Sequence, residues 1–490
     1  MSTVDAKPRT PGQRPRRIAV IGGGITGLSA AHRCVSKEAT AEVVLYESSS
    51  RLGGIIHTQH QDDYLLELGP DSFITNKPGG VQLCEETGFT DQLIPTDNTF
   101  RRSLVLHKGI PQPVPDGFML MAPSNIRAIE ETPVLSAEGK SRLLQEASIP
   151  ARLDGEDETL ASFVTRRFGK ETLDRLVQPL VGGIYTSDPE KLSLRATLPR
   201  FLDMETEHGS VIAATLAKES SKGVSRSSGS GARYGLFATA QNGLSSLVQH
   251  VEAVLRQTNR VQIQMETPIQ QVQQPEVSGD ARWAVQKTDG SVDTFDAVIM
   301  TLPAYRVGDL LVADEYSALR SSLKEIEYAS SAIVLTGHRL SDFEHPMDAF
   351  GLVIPAIEKR RVLAVSFTSR KFPRRAPKDH VLLRTFVGGA MQSELLEHSD
   401  SKIQQLVTEE LQQILGLTTE PQFARVVRYN QAMPQYHIGH LDRIARIERL
   451  LEQHLGLFVA GSAYRGVGIP DSIASGRQAA DAATDLTVTN

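Results

Sequence analysis

"IAVIGGGITGLSAAH", residues 18–32, opens on four consecutive apolar residues and fits three consecutive glycines and a fourth glycine into its first ten positions. The unbroken apolar run Ile18 to Ile21 is the pattern of a strand covered on both faces, and Leu28, Ala31 and Val35 then follow at helical spacing. The stretch therefore reads strand, glycine turn, helix. Gly22, Gly24 and Gly27 fit G-x-G-x-x-G, in which the first glycine permits the tight turn, the second lets backbone approach a pyrophosphate and the third lets helix pack on strand. Ile25 and Thr26 then open the helix, whose N-terminus faces the phosphates. A second strand, "EVVLYE", ends in Glu47, twenty residues past Gly27, where a carboxylate takes the ribose hydroxyls of an adenosine half. The order predicts the first βαβ unit of a doubly wound α/β sheet that binds a dinucleotide.

Working outward, 490 residues with 40% hydrophobic content suffice for a large core and two or three lobes. A net charge of −6 excludes the basic footprint of a nucleic-acid binder. Cys34 and Cys84 sit in helical stretches without C-x-x-C or metal-ligand spacing, so they read as buried apolar residues in a reducing cytoplasm. Residues 1–17 hold no apolar run of signal type and no window reaches a membrane span, which limits membrane contact to a peripheral one, on the inner face of the cell membrane. Residues 136–215 read mainly as helices opened by a capping Ser136, residues 218–235 as a Ser/Gly-rich loop, and "DAVIMTLP" (296–303) as a buried strand rejoining the first sheet. The C-terminal "LGLFVAGSAYRGVGIPDSIASGRQAADAA" repeats the opening grammar of strand, glycines and helix. The expected fold is α/β: a discontinuous Rossmann-like dinucleotide domain (16–88, 236–310, 440–490), a mixed α+β substrate domain (89–109, 311–439), a helical lobe (110–215) and a mobile loop (216–235).

After the acid-ended strand comes "SSSRLGGIIHT", with Arg51, Gly53 and Gly54, and then "LELGP", Leu66 to Pro70 with Gly69. This order resembles the flavin amine oxidase superfamily, in which these loops wrap the pyrophosphate and flavin of FAD. A second glycine pair and an arginine give a pyrophosphate further donors and a charge-assisted contact. "PLVGGIYTSDPEKLSL", "AFGLVIP", "AMPQYHIGH" and "GVGIPDSIASGRQAA" together resemble the oxygen-dependent porphyrinogen oxidases of haem biosynthesis, over nearly the whole chain. The resemblance implies one non-covalent FAD per chain, dioxygen as oxidant, hydrogen peroxide as product and a helical membrane-associating lobe, for which Phe118, Met119, Leu120 and Met121 are candidates. A homodimer stays open. The implied reaction is six-electron oxidation of protoporphyrinogen IX, with coproporphyrinogen III as the alternative substrate, the two differing in two vinyls against two propionates.

Site residues follow from the same resemblance. Gly69, Pro70, Asp71 and Ser72 would pass beneath the flavin, Ile269 would touch the adenine side, Tyr429 would stack where many members carry Trp, and Gly461, Val467, Gly468 and Ile469 would line the pyrimidine end near a helix N-terminus. For a wide apolar disc with carboxylate tails, Phe350, Val353 and Phe386 are candidate walls, Gly183 faces a pyrrole, and Arg102, with Arg101 behind it, takes a carboxylate, although plant and animal members align Ser103 there. No acid or base and no metal is assigned, because hydride abstraction from carbon belongs to the flavin. Two other classes remain: a flavin oxidase or desaturase for amines or carotenoids, and a flavin-free binding protein of the same fold.

Overall fold

The unbroken apolar strands lie where two hydrophobic cores meet. The computed structural model describes residues 15–222, 236–275 and 282–486. Strand β1 (Arg17–Ile21), helix α1 (Ile25–Lys37) and strand β2 (Glu42–Tyr46) form the opening unit. A five-stranded parallel sheet runs in the order Val261–Gln264, β2, β1, Ala297–Met300, Leu457–Val459. Alternate residues point to opposite faces of a strand. Ile18, Val20, Val43 and Leu45 therefore enter one core with α1 and the helix Ile469–Asp485, whereas Ala19, Ile21, Val44 and Tyr46 enter another with the antiparallel strands Ile269–Gln273, Trp283–Lys287 and Val292–Phe295. Both faces are covered, which is why neither strand alternates in polarity.

Helices α1 and Ile469–Asp485 cross closely. A β-carbon on Gly476 would lie 2.3 Å from the Thr26 carbonyl oxygen, and the Ser29 hydroxyl donates to the Ile473 carbonyl at 3.2 Å. The thiols of Cys34 and Cys84 are buried, and burial pushes both up to about 12.

A second sheet has seven strands, in the order Phe423–Pro434, Tyr328–Arg339, His380–Gly388, Ala364–Phe367, Gly351–Val353, Ser103–His107, Ile110–Pro113. One face packs on the helix Asp400–Leu415 through Leu352, Val365, Leu383 and Leu411. The other packs Leu335 and Leu382 on the hairpin residues Tyr64, Leu66 and Leu68 of the dinucleotide domain. Ile110–Pro113 thus belongs to this sheet and not to the helical lobe, because it closes a hairpin with Ser103–His107. The helix Val211–Lys222 takes up the first residues of the expected loop at 216–235, and 223–235 lie outside the described residues. The Ser136 side chain caps its helix by accepting from the Gly139 N–H.

The helical lobe has a core of its own, and Phe118 and Met121 are buried in it. Leu120 packs against that core, so of the four membrane candidates only Met119, 45% exposed, faces outward. Among the described residues no helix is long and apolar enough to cross a membrane. Replacing Phe118 with glutamine should cost about 2–5 kcal/mol of stability, as a buried aromatic lost to a polar group does. Met119→Gln should change stability by less than about 0.5 kcal/mol. Chemical denaturation of the two variants checks the contrast.

Candidate functional site

Three glycines of the opening loop have three different surroundings. Gly22 has φ +110°, and its N–H donates to the Tyr46 carbonyl at 2.8 Å, so it makes the turn off β1. A β-carbon on Gly27 would lie 1.9 Å from the Gly22 carbonyl oxygen, so this glycine sets the approach of helix to strand. Gly24 is the helix N-cap, and a β-carbon there would meet nothing nearer than the Gly54 Cα at 4.0 Å. Bare backbone faces open space at Gly24, and across it stand Gly54 (φ +59°) and Gly461, whose β-carbon would meet only the Thr26 hydroxyl at 3.9 Å. These are the surroundings a pyrophosphate requires of a glycine loop.

The second glycine loop is zipped to the first. Gly53 N–H donates to the Gly23 carbonyl at 2.9 Å and the two loops form a short parallel bridge at Gly24 and Gly53. Arg51 donates to the carbonyls of Leu52, Gly54 and Ile56 and has no carboxylate partner among the described residues, so it braces this loop with its charge unspent. Glu47 Oε2 accepts from the Gly23 N–H at 2.8 Å and Oε1 from the Ser49 N–H at 2.8 Å. Oε1 also accepts from the Ser49 hydroxyl at 2.8 Å, so Oε2 is the oxygen that keeps a lone pair for a hydroxyl.

From Gly54 the chain leads to Ile55, an isoleucine 57% exposed, and a β-carbon on Gly69 would lie 1.8 Å from the Ile55 carbonyl oxygen. Gly69 to Ser72 therefore continues the trough. At its far end Gly79 presses on Pro470, with its β-carbon position 2.3 Å from that carbonyl oxygen, and the N-terminus of Ile469–Asp485 begins there, capped by Gly468 beside Val467. Asp471 accepts from Lys77 at 2.8 Å in the same corner. The trough thus runs between two helix N-termini, joined by bare or strongly bent backbone.

The floor beneath Gly69 is ionic. Arg384, 3% exposed, donates to the Gly69 carbonyl and lies 3.2 Å from Asp71 Oδ2, and Lys371 lies 3.1 Å from Asp71 Oδ1 and 3.0 Å from the Ser72 hydroxyl. Burial pushes the Asp71 carboxyl up, but the Lys371 ammonium and the Arg384 guanidinium beside it hold it well below the usual carboxylate range. Neither Arg384 nor Lys371 carries a sequence motif. Only the contact of the seven-stranded sheet with this loop makes them visible.

Glu67, fully buried, accepts from the Leu244 N–H at 2.7 Å and from the Thr58 hydroxyl at 2.8 Å. Burial outweighs these bonds and pushes its carboxyl up to about 7. The folded protein then binds a proton that the unfolded chain releases, so this group's contribution makes stability fall as pH rises from about 4.5 to about 7. Glu67→Gln should flatten that part of the profile, as measured by urea unfolding at a series of pH values.

The structure places the substrate candidates unevenly. Val353 pairs with Ala364, which pairs with Phe386, which pairs with Ile333, so these side chains form one row across one face of the sheet. The neighbouring row, Ser103, Gly351, Ser366 and Arg384, shares that face. Gly183 has open space around it and lines a small pocket with Thr186, Ser187, Ile354 and Leu363. Phe350 stands one residue before Gly351 and out of phase with Val353, so it does not join the row. Arg102 precedes Ser103 and is likewise out of phase. Its guanidinium is paired with Asp348, whose backbone carbonyl it also holds at 3.0 Å, at an exposed edge. Arg101 beside it is exposed. Tyr429 clamps the "LELGP" segment, its hydroxyl donating to the Leu68 carbonyl at 2.7 Å. Ile269 packs beneath the dinucleotide sheet as the first residue of its strand.

Comparison with known proteins fits this geometry. The chain is 33% identical over 482 residues to the coproporphyrinogen III oxidase of Bacillus subtilis, covering 96% of this chain and 98% of that one. It is 26% identical over 488 residues to protoporphyrinogen oxidase 2 of Arabidopsis thaliana, covering 95% and 93%. A crystal structure from Exiguobacterium sp. 255-15, provisionally assigned as a protoporphyrinogen oxidase, superposes with a TM-score of 0.83 at 29% identity, covering 96% of this chain and 99% of that one. The model of the flavin containing amine oxidoreductases matches residues 25–484. With its glycine trough and two-domain cleft, the chain belongs to the flavin containing amine oxidoreductase family, and it is a flavin-dependent oxidoreductase.

Proposed function

We propose that the chain holds one FAD, non-covalently, in the glycine trough and oxidises a porphyrinogen with dioxygen for haem synthesis, with coproporphyrinogen III as its preferred substrate. The observation that carries the reading is the cleft itself: a trough of bare backbone tied through Arg384 and Gly69 to a sheet face whose next row is apolar at Val353, Ala364 and Phe386. Such a floor suits a wide apolar ring. Gly24, Gly54 and Gly461 leave room for the pyrophosphate, Glu47 takes the ribose hydroxyls, Arg51 offers its charge, and Gly69 to Ser72 with Val467 to Ile469 bracket the flavin. Tyr429 acts through the loop it clamps, and Ile269 supports the adenine side. A cysteinyl link to the flavin is disfavoured because both thiols are buried in a hydrophobic core.

Bound flavin supplies two-electron hydride abstraction from carbon, and repeated turnover with dioxygen removes six electrons and releases peroxide. The protein's part is to orient the macrocycle edge between Gly183 and Phe386 and to exclude water from the apolar row. Sequence alone ranks protoporphyrinogen IX ahead of coproporphyrinogen III. Coproporphyrinogen III is favoured because the Bacillus relative, at 33% identity, is named for coproporphyrinogen III and the Arabidopsis relative, at 26%, for protoporphyrinogen. Arg102 keeps a role at the rim if a propionate displaces Asp348 from it.

Anaerobically prepared porphyrinogens, mixed with oxygen and the flavin-loaded protein, test the reading through porphyrin fluorescence. We expect kcat/KM at least about tenfold higher for coproporphyrinogen III, a difference of about 1.4 kcal/mol in transition-state binding. The opposite ranking returns protoporphyrinogen IX to first place. No turnover of either overturns the reading.

A further inference from the structure

Arg384 is a residue that neither the glycine motifs nor the substrate pattern accounts for. It rises from the centre of the seven-stranded sheet, in the strand His380–Gly388, yet its guanidinium is spent on the dinucleotide domain, at the Gly69 carbonyl and the Asp71 carboxylate. It is almost wholly buried, and among the described residues its Nε has no partner. Lys371 reaches the same carboxylate and the Ser72 hydroxyl. Two cations therefore share one acid under a four-residue loop, and the group keeps one positive charge in excess. Behind it lie a further cation, Arg375, and a further acid, Glu67, which leave that excess in place or enlarge it as Glu67 takes up its proton. A buried arginine with one lone acid partner would be enough to pin the loop. The second cation is surplus to that task.

The loop is continuous with the cofactor trough. Gly54 faces Gly24, Ile55 follows it, Gly69 presses on Ile55, and Arg384 holds Gly69. We propose that Arg384, together with Lys371, is the positive pole of this cleft: a positioning residue that fixes the Gly69–Ser72 segment and raises the reduction potential of the flavin lying over it. The inference rests on the flavin placement proposed above. Two electrons and one proton reduce the isoalloxazine to a form with one negative charge, and a fixed buried cation favours the charged form over the neutral one. The field acts at low dielectric and is not screened as a surface charge would be.

The sign of the effect separates charge from scaffold. In the flavin-loaded protein, reduction potentials are measured by equilibration with a reference dye for wild type, Arg384→Gln, Arg384→Lys and Asp71→Asn. We expect Arg384→Gln to lower the oxidised-to-reduced equilibrium constant about tenfold, which is about 30 mV for a two-electron couple. Arg384→Lys, which keeps the charge, should stay within about threefold of wild type, and Asp71→Asn, which unmasks a cation, should shift the potential upward. A purely structural role would move Arg384→Gln and Asp71→Asn in the same direction, or weaken flavin binding without moving the potential, and either result overturns the proposal. If Arg384→Gln does not fold, Lys371→Gln must give the downward shift, and its failure to do so overturns the proposal equally. A wild-type chain that takes up no flavin overturns instead the cofactor reading beneath it, and is seen before any variant is made.

Discussion

A Gly24→Val protein should purify folded and colourless. The backbone at Gly24 is ordinary extended chain, φ −69° and ψ 176°, so valine meets no torsional penalty. The nearest heavy atom to its β-carbon would be 4.0 Å away, so it meets no clash either. What the side chain fills is the space that a pyrophosphate must enter to meet backbone N–H groups. Flavin affinity should fall at least about a hundredfold, or about 2.7 kcal/mol, with circular dichroism unchanged. Flavin-to-protein ratios after reconstitution read the result, and a folded variant with full flavin content would defeat the assignment of the trough. Gly27→Ala gives the contrast, because its β-carbon would lie 1.9 Å from a backbone oxygen and the variant should lose the fold itself.

Arg167→Ala should be the most damaging change in the helical lobe. Its guanidinium is fully buried, pairs with Glu146, reaches Glu205 at 3.3 Å and donates to the carbonyls of Ile149 at 2.7 Å and Gly209 at 2.9 Å. Glu146 is fully buried too, and also accepts from the N–H groups of Val211 and Ile212, where it closes the start of the next helix. Removing the arginine strands a carboxylate in a dry interior, which costs about 3–5 kcal/mol. Adding Glu146→Gln to Arg167→Ala should restore part of that loss, because the uncompensated charge is the larger share of the penalty. Denaturant midpoints of the single and double variants test it. A double variant no more stable than Arg167→Ala would show that the lost hydrogen bonds, and not the stranded charge, dominate.

The dinucleotide domain was legible because local spacing and tertiary role coincide there. The run Ile18 to Ile21 is apolar at every position for the same reason that it is central in the sheet, and Gly22, Gly24 and Gly27 each meet a different constraint that the motif already encodes. The rejoining strand Ala297–Met300 was found by the same signature. The substrate cleft was not legible to that degree. Which of Phe350 and Val353 faces inward depends on strand phase, and phase is set by the pairing of Gly351 with Ser103 and Ser366, which are far apart in sequence. Arg102 looked free because Asp348, its partner, lies 246 residues away. The four apolar residues from Phe118 to Met121 read as one surface, yet two short strands, Phe118–Met119 and Ala122–Pro123, turn Phe118 and Met121 inward.

The order of strands in the parallel sheet bears on how the protein is made. β1 lies between β2 and Ala297–Met300, and the last strand, Leu457–Val459, is added at the outer edge. A ribosome must therefore pass Ala297–Met300 before β1 gains its second neighbour, and Ile469–Asp485 before that helix can cover Ile18 and Val20. Contacts of such sequence separation form late, because loop closure is costly before they repay it. The emerging chain carries a half-built sheet with an open edge for most of its synthesis, a state that favours aggregation and calls for chaperone protection. Since Gly24 and Gly461 line the same trough, nothing can be gripped from both sides until the chain has been made as far as Gly461, and cofactor supply then acts on a trough that has only just gained its second wall.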